Sequence, residues 1–248
     1  MCYNIAIMET RQQKYAERYK DVIGASFSFE TAQPELPLYY FVSGFAHPFL
    51  PVIKHDGLFL FEWGLIPSWI KDAKGASEIR TKTLNAVGET VFEKPSFRKS
   101  IVSNRCLLGV SGFFEWRDVN KKKYPYFIKT NNSELFSLGC IYETWVDKNT
   151  GELHNTFSII TTVANPLMEK IHNVKKRMPL IIAEEDERKW VDPSTGIDEI
   201  RSLIKPYNES EMTAYTILQA ANSARANRNV PEILNAVNYP ELALLDTI

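Results

Sequence analysis

Short apolar runs separated by polar turns dominate this chain, and most have the length of strands rather than helices. After an apolar start at Ile5, Ala6 and Ile7, residues 11–23 place Tyr15, Tyr19, Val22 and Ile23 at helical spacing among Lys, Arg and Glu. That spacing predicts an amphipathic helix. Residues 31–37 carry two prolines and read as a loop. Leu38 to Phe45 and Leu58 to Trp63 read as strands, with His55, Asp56 and Gly57 as a turn between paired segments. Residues 64–82, which contain Gly64, Pro67 and Gly75, read as irregular. Asn85 stands where a short helix would start, because Asn caps helix N-termini and Glu89 falls in the early turns.

Residues 106–117 form an unbroken apolar stretch with little charge until Glu115. The basic turn Asn120 to Lys123 separates it from Tyr124 to Lys129, which alternates as a hairpin partner should. Leu135 to Trp145 and Thr156 to Val163 are two more strands around the turn Asp147 to Gly151. Residues 164–172 predict a helix with Pro166 near its start, where proline is tolerated. Leu180 to Ala183 reads as a short strand, Glu184 to Val191 and Ile197 to Ile204 as helices, and Ala214 to Leu218 as a last strand. There is no repeat, low-complexity segment or linker. The expectation is one α+β domain over residues 1–248, mostly antiparallel, with a barrel-like sheet and peripheral helices.

Composition narrows the function classes. At 248 residues and 44% hydrophobic, the chain can bury a substantial core. The net charge of −1 does not announce a nucleic-acid binder, so any phosphate contact must come from a local cluster. Cys2, Cys106 and Cys140 have neither framework nor metal spacing, and the scattered His47, His55 and His154 form no metal pair. No metal site is expected. Nothing reads as a secretory signal and no apolar run is long enough to span a bilayer, so a reducing cytosol is the expected compartment.

Several residues could carry chemistry. Removal of Met1, which a small second side chain permits, would leave Cys2 with a free α-amine and a thiol. Such an aminothiol can condense with an aldehyde as a Schiff base and then close a thiazolidine ring; the same cysteine would also suit an ordinary frayed terminus. Glu115, in Gly112-Phe113-Phe114-Glu115-Trp116, shares a face with Phe113 by the period of two, while Phe114 and Trp116 take the other. A carboxylate buried there would titrate upward and suit acid–base work, or it would form a structural ion pair with an arginine such as Arg105 or Arg177. His172 ends the predicted 164–172 helix and reads either as a C-terminal cap favoured by the dipole or as a proton shuttle. Asn85 reads as a helix cap or as a residue that orients a thiol or a hydroxyl. Trp63 and Trp69 bracket an irregular segment and read as core, or as stacking platforms for unpaired bases.

Taken in order, the pieces form a series: Met1-Cys2; Phe61 to Trp69; Asn85-Ala86 with Glu89-Thr90; Lys94-Pro95-Ser96-Phe97-Arg98; Arg105-Cys106-Leu107; Gly112 to Trp116; Thr161 to Asn165; Ile171-His172; Arg177-Met178-Pro179; and Pro231-Glu232. This series closely resembles the SRAP family, the SOS response-associated peptidases, from residue 2 to about 235, with 236–248 as a tail. The resemblance implies that Cys2 crosslinks the aldehyde of an abasic site in single-stranded DNA, without a cofactor. It implies that Glu115 shuttles protons, that His172 engages the sugar hydroxyl or a proton, that Asn85 orients the cysteine, and that Met1 is released.

The chain departs from the family pattern where arginines would meet phosphate: Tyr3 and Asn4 replace Gly-Arg, and Val87 replaces Arg. The segment from His172 to Arg177 is three residues longer and adds Lys175 and Lys176. Replacement charge is therefore expected from Arg98, Arg105, Lys175, Lys176 and Arg177. Two other readings compete: a thiol hydrolase using Cys2, His172 and Asn85, and a non-covalent single-strand-binding module.

Overall fold

The computed structural model describes residues 2–23 and 36–243. The first half of the chain supplies strands β1 (Asn4–Ile7), β2 (Tyr39–Ser43), β3 (Phe49–Lys54), β4 (Gly57–Trp63), β5 (Asn85–Val87) and β6 (Arg105–Val110). The second half adds β7 (Gly112–Val119), β8 (Lys122–Thr130), β9 (Phe136–Val146), β10 (Leu153–Val163), β11 (Arg177–Pro179), β12 (Ile181–Ile182) and β13 (Met212–Thr216). The helices are α1 (Gln12–Arg18), α2 (Lys20–Ile23), α3 (Ala73–Arg80), α4 (Ser100–Ser103), α5 (Pro166–Ile171), α6 (Glu184–Val191), α7 (Ile197–Leu203) and α8 (Pro240–Ala243). No helix among the described residues is long and apolar enough to cross a membrane.

Two sheets carry the fold. One runs β13-β8-β7-β1-β2, and the other runs β11-β10-β4-β3-β6-β9-β12. An additional antiparallel pairing of β9 with β10, from Leu153 opposite Val146 to Ile159 opposite Cys140, closes β10, β4, β3, β6 and β9 into a five-stranded barrel. Closure removes the free edges that an open sheet would expose. The expected α+β class and barrel-like sheet are therefore present. Two pairings are parallel, β10 with β4 and β10 with β5.

The apolar stretch 106–117 is two strands, not one. Ser111 breaks it where the chain passes from the barrel into the second sheet. Its N–H donates to the Ala6 carbonyl at 2.9 Å, and its hydroxyl accepts from Met8 N–H at 3.0 Å. Beyond this joint, β7 is apolar on both faces. Phe113 enters the large core with Ile5 and Ile128, and Phe114 enters a separate cluster with Phe41 and Phe127. The β7–β8 hairpin turns through Asn120 and Lys121, both with positive φ (51° and 65°), which suits the twist of a two-residue loop.

Several local expectations change. The helix expected over 11–23 is interrupted at Tyr19, whose hydroxyl hydrogen-bonds Ser137 Oγ at 2.9 Å. Within the segment read as irregular, Asp72 Oδ1 accepts from Gly75 N–H at 2.8 Å and starts α3. Asn85 caps no helix; it opens β5, opposite Ile159 of β10. The Leu38–Phe45 strand ends at Ser43, and β3, which pairs with β4 around the His55–Asp56 turn, was not read from the sequence. Of the proline loop, residues 31–35 lie outside the described residues, as do 244–248 of the expected tail. Residues 236–243 fold back: Ala236 bridges to Ile217, and Glu241 pairs with Lys122 at 2.7 Å.

Trp63 is fully buried, with its indole N–H donating to the Leu84 carbonyl at 2.8 Å and its ring stacked on Phe157. It forms the floor beneath Gly44, where a Cβ would meet the indole at 2.9–3.1 Å. Trp63→Ala is expected to destabilise the fold by about 3–5 kcal/mol, measured by urea denaturation. A loss below about 1 kcal/mol would contradict the core role.

Candidate active site

The site forms where the start of the chain, β7 and the segment after α5 meet. Antiparallel register sets Ile5 opposite Phe113 and Ala6 opposite Gly112, which runs residues 2–4 back along β7 toward Glu115. Cys2 is fully buried, not frayed, with Sγ 4.0 Å from the Asn4 carbonyl. Burial, reinforced by the nearby Glu115 charge, pushes the Cys2 thiol far above its usual range. The sulfur therefore rests protonated. Cys106 and Cys140, partners across β6 and β9, are also buried and free.

Glu115 is 4% exposed. Burial raises its pKa to about 7, with Lys175 acting in the opposite direction. Both protonation states are accessible near neutrality, as a proton shuttle requires. Neither arginine weighed as its structural partner takes that role. Arg105 is buried and donates to four carbonyls, those of Ile101, Val102, Trp190 and Asp192. Arg177 makes a two-pronged pair with Glu89, at 2.6 and 2.9 Å, and also donates to the Thr161 carbonyl.

His172 follows α5, a helix opened by Asn165, whose Oδ1 accepts from Met168 N–H at 2.9 Å, with Pro166 in the first turn. Its Nδ1 lies 2.8 Å from the Arg177 carbonyl and 3.7 Å from Glu115 Oε1. A carbonyl only accepts, so Nδ1 carries the proton and Nε2 presents a lone pair. Burial, aided by Lys175 and Arg177, lowers the pKa to about 4. The imidazole is neutral at pH 7, so the reading as a charged helix-dipole cap does not hold.

Asn85 is buried, and neither Oδ1 nor Nδ2 of its amide has a hydrogen-bond partner. Leaving both unpaired costs roughly 1–3 kcal/mol each, so this amide stands ready for a ligand. Its position on β5, across β10, places it on a different element from the Cys2–Glu115–His172 group.

A cleft of about 260 Å³ opens over the group, lined among others by Tyr3, Asn4, Glu115, Trp116, His172 and Lys175. One wall is the lengthened 172–177 segment. Asn173 clasps it to β7, accepting from Asp118 N–H at 3.0 Å and donating to the Asp118 carbonyl at 2.8 Å. Lys175 lines the cleft; Lys176 turns away with φ 49° and lies 3.9 Å from Glu169.

The residues expected to face DNA divide sharply. Trp63, Arg105 and Arg177 are engaged internally: burial removes Trp63 and Arg105 from any surface, and Glu89 occupies the Arg177 fork. Trp69 is 56% exposed and Arg98 is exposed, but both lie outside the cleft lining. Only Lys175 stands in it. Sequence reasoning missed Tyr3, Trp116 and Lys123 as lining residues. The signal for Trp116 was its place beside Glu115, and for Tyr3 its departure from the expected glycine. Among the described residues no group of three or more His, Cys, Asp or Glu side chains could hold a metal.

Comparison with known proteins places the chain in a family. A family model described as SOS response associated peptidase (SRAP) matches residues 1–224. The chain is 42% identical over 176 residues to the abasic site processing protein YoqW of Bacillus subtilis, covering 70% of this chain and 74% of that protein. It is 29% identical over 195 residues to the abasic site processing protein HMCES of Xenopus tropicalis, covering 71% of this chain and 56% of that one. A crystal structure of a Bacteroides thetaiotaomicron protein superposes with a TM-score of 0.87 at 39% identity, covering 96% of this chain and 100% of the other.

The two shifted groups give opposite pH signatures. Glu115 titrates higher folded (about 7) than unfolded (about 4.5), so its contribution to stability is present below pH 4.5 and lost as pH rises through 7. His172 titrates lower folded (about 4) than unfolded (about 6.5), so its contribution is present above pH 6.5 and lost as pH falls through 4. Glu115→Gln is therefore expected to flatten the fall in unfolding free energy between pH 5 and 7.5, by on the order of 2–3 kcal/mol. Urea titrations across that range check it; parallel curves for both proteins would refute the assignment.

Proposed function

The chain belongs to the SOS response associated peptidase (SRAP) family, and on that footing we propose that it processes abasic sites by capturing their aldehyde on Cys2 in single-stranded DNA. The observation that carries the reading is the buried Glu115 at 3.7 Å from a neutral His172, beside a buried Cys2 thiol. The names of the relatives supply the lesion.

The chemistry follows from the protonation states. A thiol pushed upward by burial is a poor first nucleophile. Once Met1 is removed, an α-amine with a pKa of about 7.7–8.0 has a neutral fraction near pH 7 and attacks the aldehyde carbon. Protonated Glu115 gives its proton to the carbinolamine hydroxyl, which leaves as water, and the protonated imine remains. Ionised Glu115 then takes the Cys2 proton as sulfur bonds to the imine carbon; the C=N electron pair returns to the nitrogen, which keeps its one proton, and Glu115 ends protonated as it began. The net change is two new bonds to one carbon and one water lost. His172, fixed with Nε2 as acceptor, takes a hydrogen bond from a sugar hydroxyl, and the unspent Asn85 amide holds the substrate from the β5 side.

The thiol-hydrolase alternative needs a thiolate or a thiol paired to a basic imidazole. Here burial disfavours the thiolate and His172 sits against Glu115, so the geometry favours the Schiff-base route. The non-covalent alternative is decided by the same experiment.

Intact mass spectrometry after mixing with abasic single-stranded DNA is expected to show a protein lacking Met1 and shifted by the oligonucleotide less one water. Cys2→Ala and Cys2→Ser, which keep the α-amine and lose the thiol, leave no stable adduct and form only an imine that borohydride traps. Glu115→Gln slows capture by about 10²–10⁴-fold. A processed wild-type protein that forms no adduct overturns the proposal, and a Cys2→Ala variant with unchanged adduct moves the chemistry elsewhere.

A further inference from the structure

The cleft over Glu115 does not end at Trp116. A second hollow of about 300 Å³ continues on its far side, lined by Trp116, Lys123, Ala221, Asn222 and Arg228. Trp116 and Lys123 line both hollows. Lys175 lies at one end of this groove, Lys123 in the middle and Arg228 at the other, and no ion pair or hydrogen bond among the described residues occupies any of the three side chains. The one carboxylate of the lining outside the reactive group, Asp118, is turned to the hairpin tip, where Oδ1 accepts from Lys121 N–H at 3.1 Å. The neighbouring Lys122 is by contrast consumed by Glu241.

Each member is held in place. The Asn173–Asp118 clasp fixes the loop that carries Lys175. Asn222 accepts from the Trp116 indole N–H and donates to the Lys123 carbonyl at 3.0 Å, which locks the half-buried ring against the strand that bears Lys123. Arg228 lies 4.4 Å over the Phe41 ring, and the adjacent Asn229 accepts from Tyr40 N–H at 2.8 Å on the edge strand β2. The result is a fixed aromatic face flanked by unpaired cations, the combination that binds a single strand by stacking and phosphate contact. The hollow of about 500 Å³ near α6 is unsuitable, because Glu184, Glu185, Asp186 and Glu211 line it.

We infer that Lys175, Lys123 and Arg228 form the phosphate track of this chain, carrying the single strand from the Cys2 site across Trp116 and replacing the arginines absent at positions 4 and 87. The inference rests on the DNA-capture reading for its ligand, yet its test does not use the capture chemistry. Each phosphate contact on a single strand contributes about 0.7 to the slope of log affinity against log salt, whereas stacking contributes to affinity without that dependence.

The probe is a fluorescent single-stranded oligonucleotide with a reduced, aldehyde-free abasic residue, and the readout is anisotropy between 50 and 300 mM KCl. Lys123→Gln, Lys175→Gln and Arg228→Gln are each expected to weaken binding several-fold at 100 mM and to lower the slope by about 0.7. The triple variant lowers it by about 2, Trp116→Ala weakens binding about 5- to 100-fold with an unchanged slope, and Arg98→Gln changes neither. An unaltered slope in the folded triple variant overturns the track, as does an equal effect of Arg98→Gln or failure of the wild type to bind. Because the probe carries no aldehyde, a protein that binds with the expected slopes but crosslinks no aldehydic oligonucleotide would refute the capture mechanism and leave the track standing.

Discussion

A carboxylate kept out of water is the constraint around which the site is arranged. Glu115 sits on a strand whose two faces enter different apolar clusters, so it is 4% exposed and meets solvent only through the cleft it lines. Desolvation lifts its pKa to about 7 and also raises the thiol beside it. The same low-dielectric setting keeps His172 neutral, with its proton committed to the Arg177 carbonyl. One physical cause therefore sets three protonation states, and these are the states on which the proposed amine-first capture rests.

The two-sheet architecture is what makes such a strand possible. At Ser111 the chain leaves a closed five-stranded barrel and enters an open sheet, so β7 begins between the barrel core and the cluster around Phe41 and Phe127. Beyond Trp116 the burial lapses, and the strand emerges at the cleft with its hairpin partner. Glu115 of the reactive group and Trp116 of the surface groove are thus neighbours on one strand.

The cationic residues show how far charge in a sequence is from charge on a surface. Arg105 sits in a motif expected to meet phosphate, yet it ties α4 and the end of α6 to β6 through four carbonyls. Arg177 clamps the turn at Glu89 to β10. Lys123, in the run read from the sequence as a basic turn, lines both hollows. A guanidinium presents several donors in a rigid fork, which suits Arg105 and Arg177 to satisfying clustered carbonyls and carboxylates and leaves the groove to Lys175, Lys123 and Arg228.

From the residues alone the α+β class, most strands, and Cys2, Glu115 and His172 as the residues worth watching were legible, because periodicity reports burial and because an aminothiol, a carboxylate among aromatics and an imidazole are chemically conspicuous. The ordered motifs also carried the family. Local spacing could not reveal that the 106–117 run splits between sheets, that Asn85 opens a strand beside β10 with its amide unspent, or that Trp63 lies beneath Gly44. Those features depend on partners 19 to 105 residues away: Gly44 at 19 and Leu84 at 21 for Trp63, Ile159 at 74 for Asn85, and Ala6 at 105 for Ser111. The sequence by itself determined which groups could react. Tertiary packing decided which were dry, which were already paired, and which stood open to a ligand, because solvation and pairing are set by neighbours that only the fold brings together.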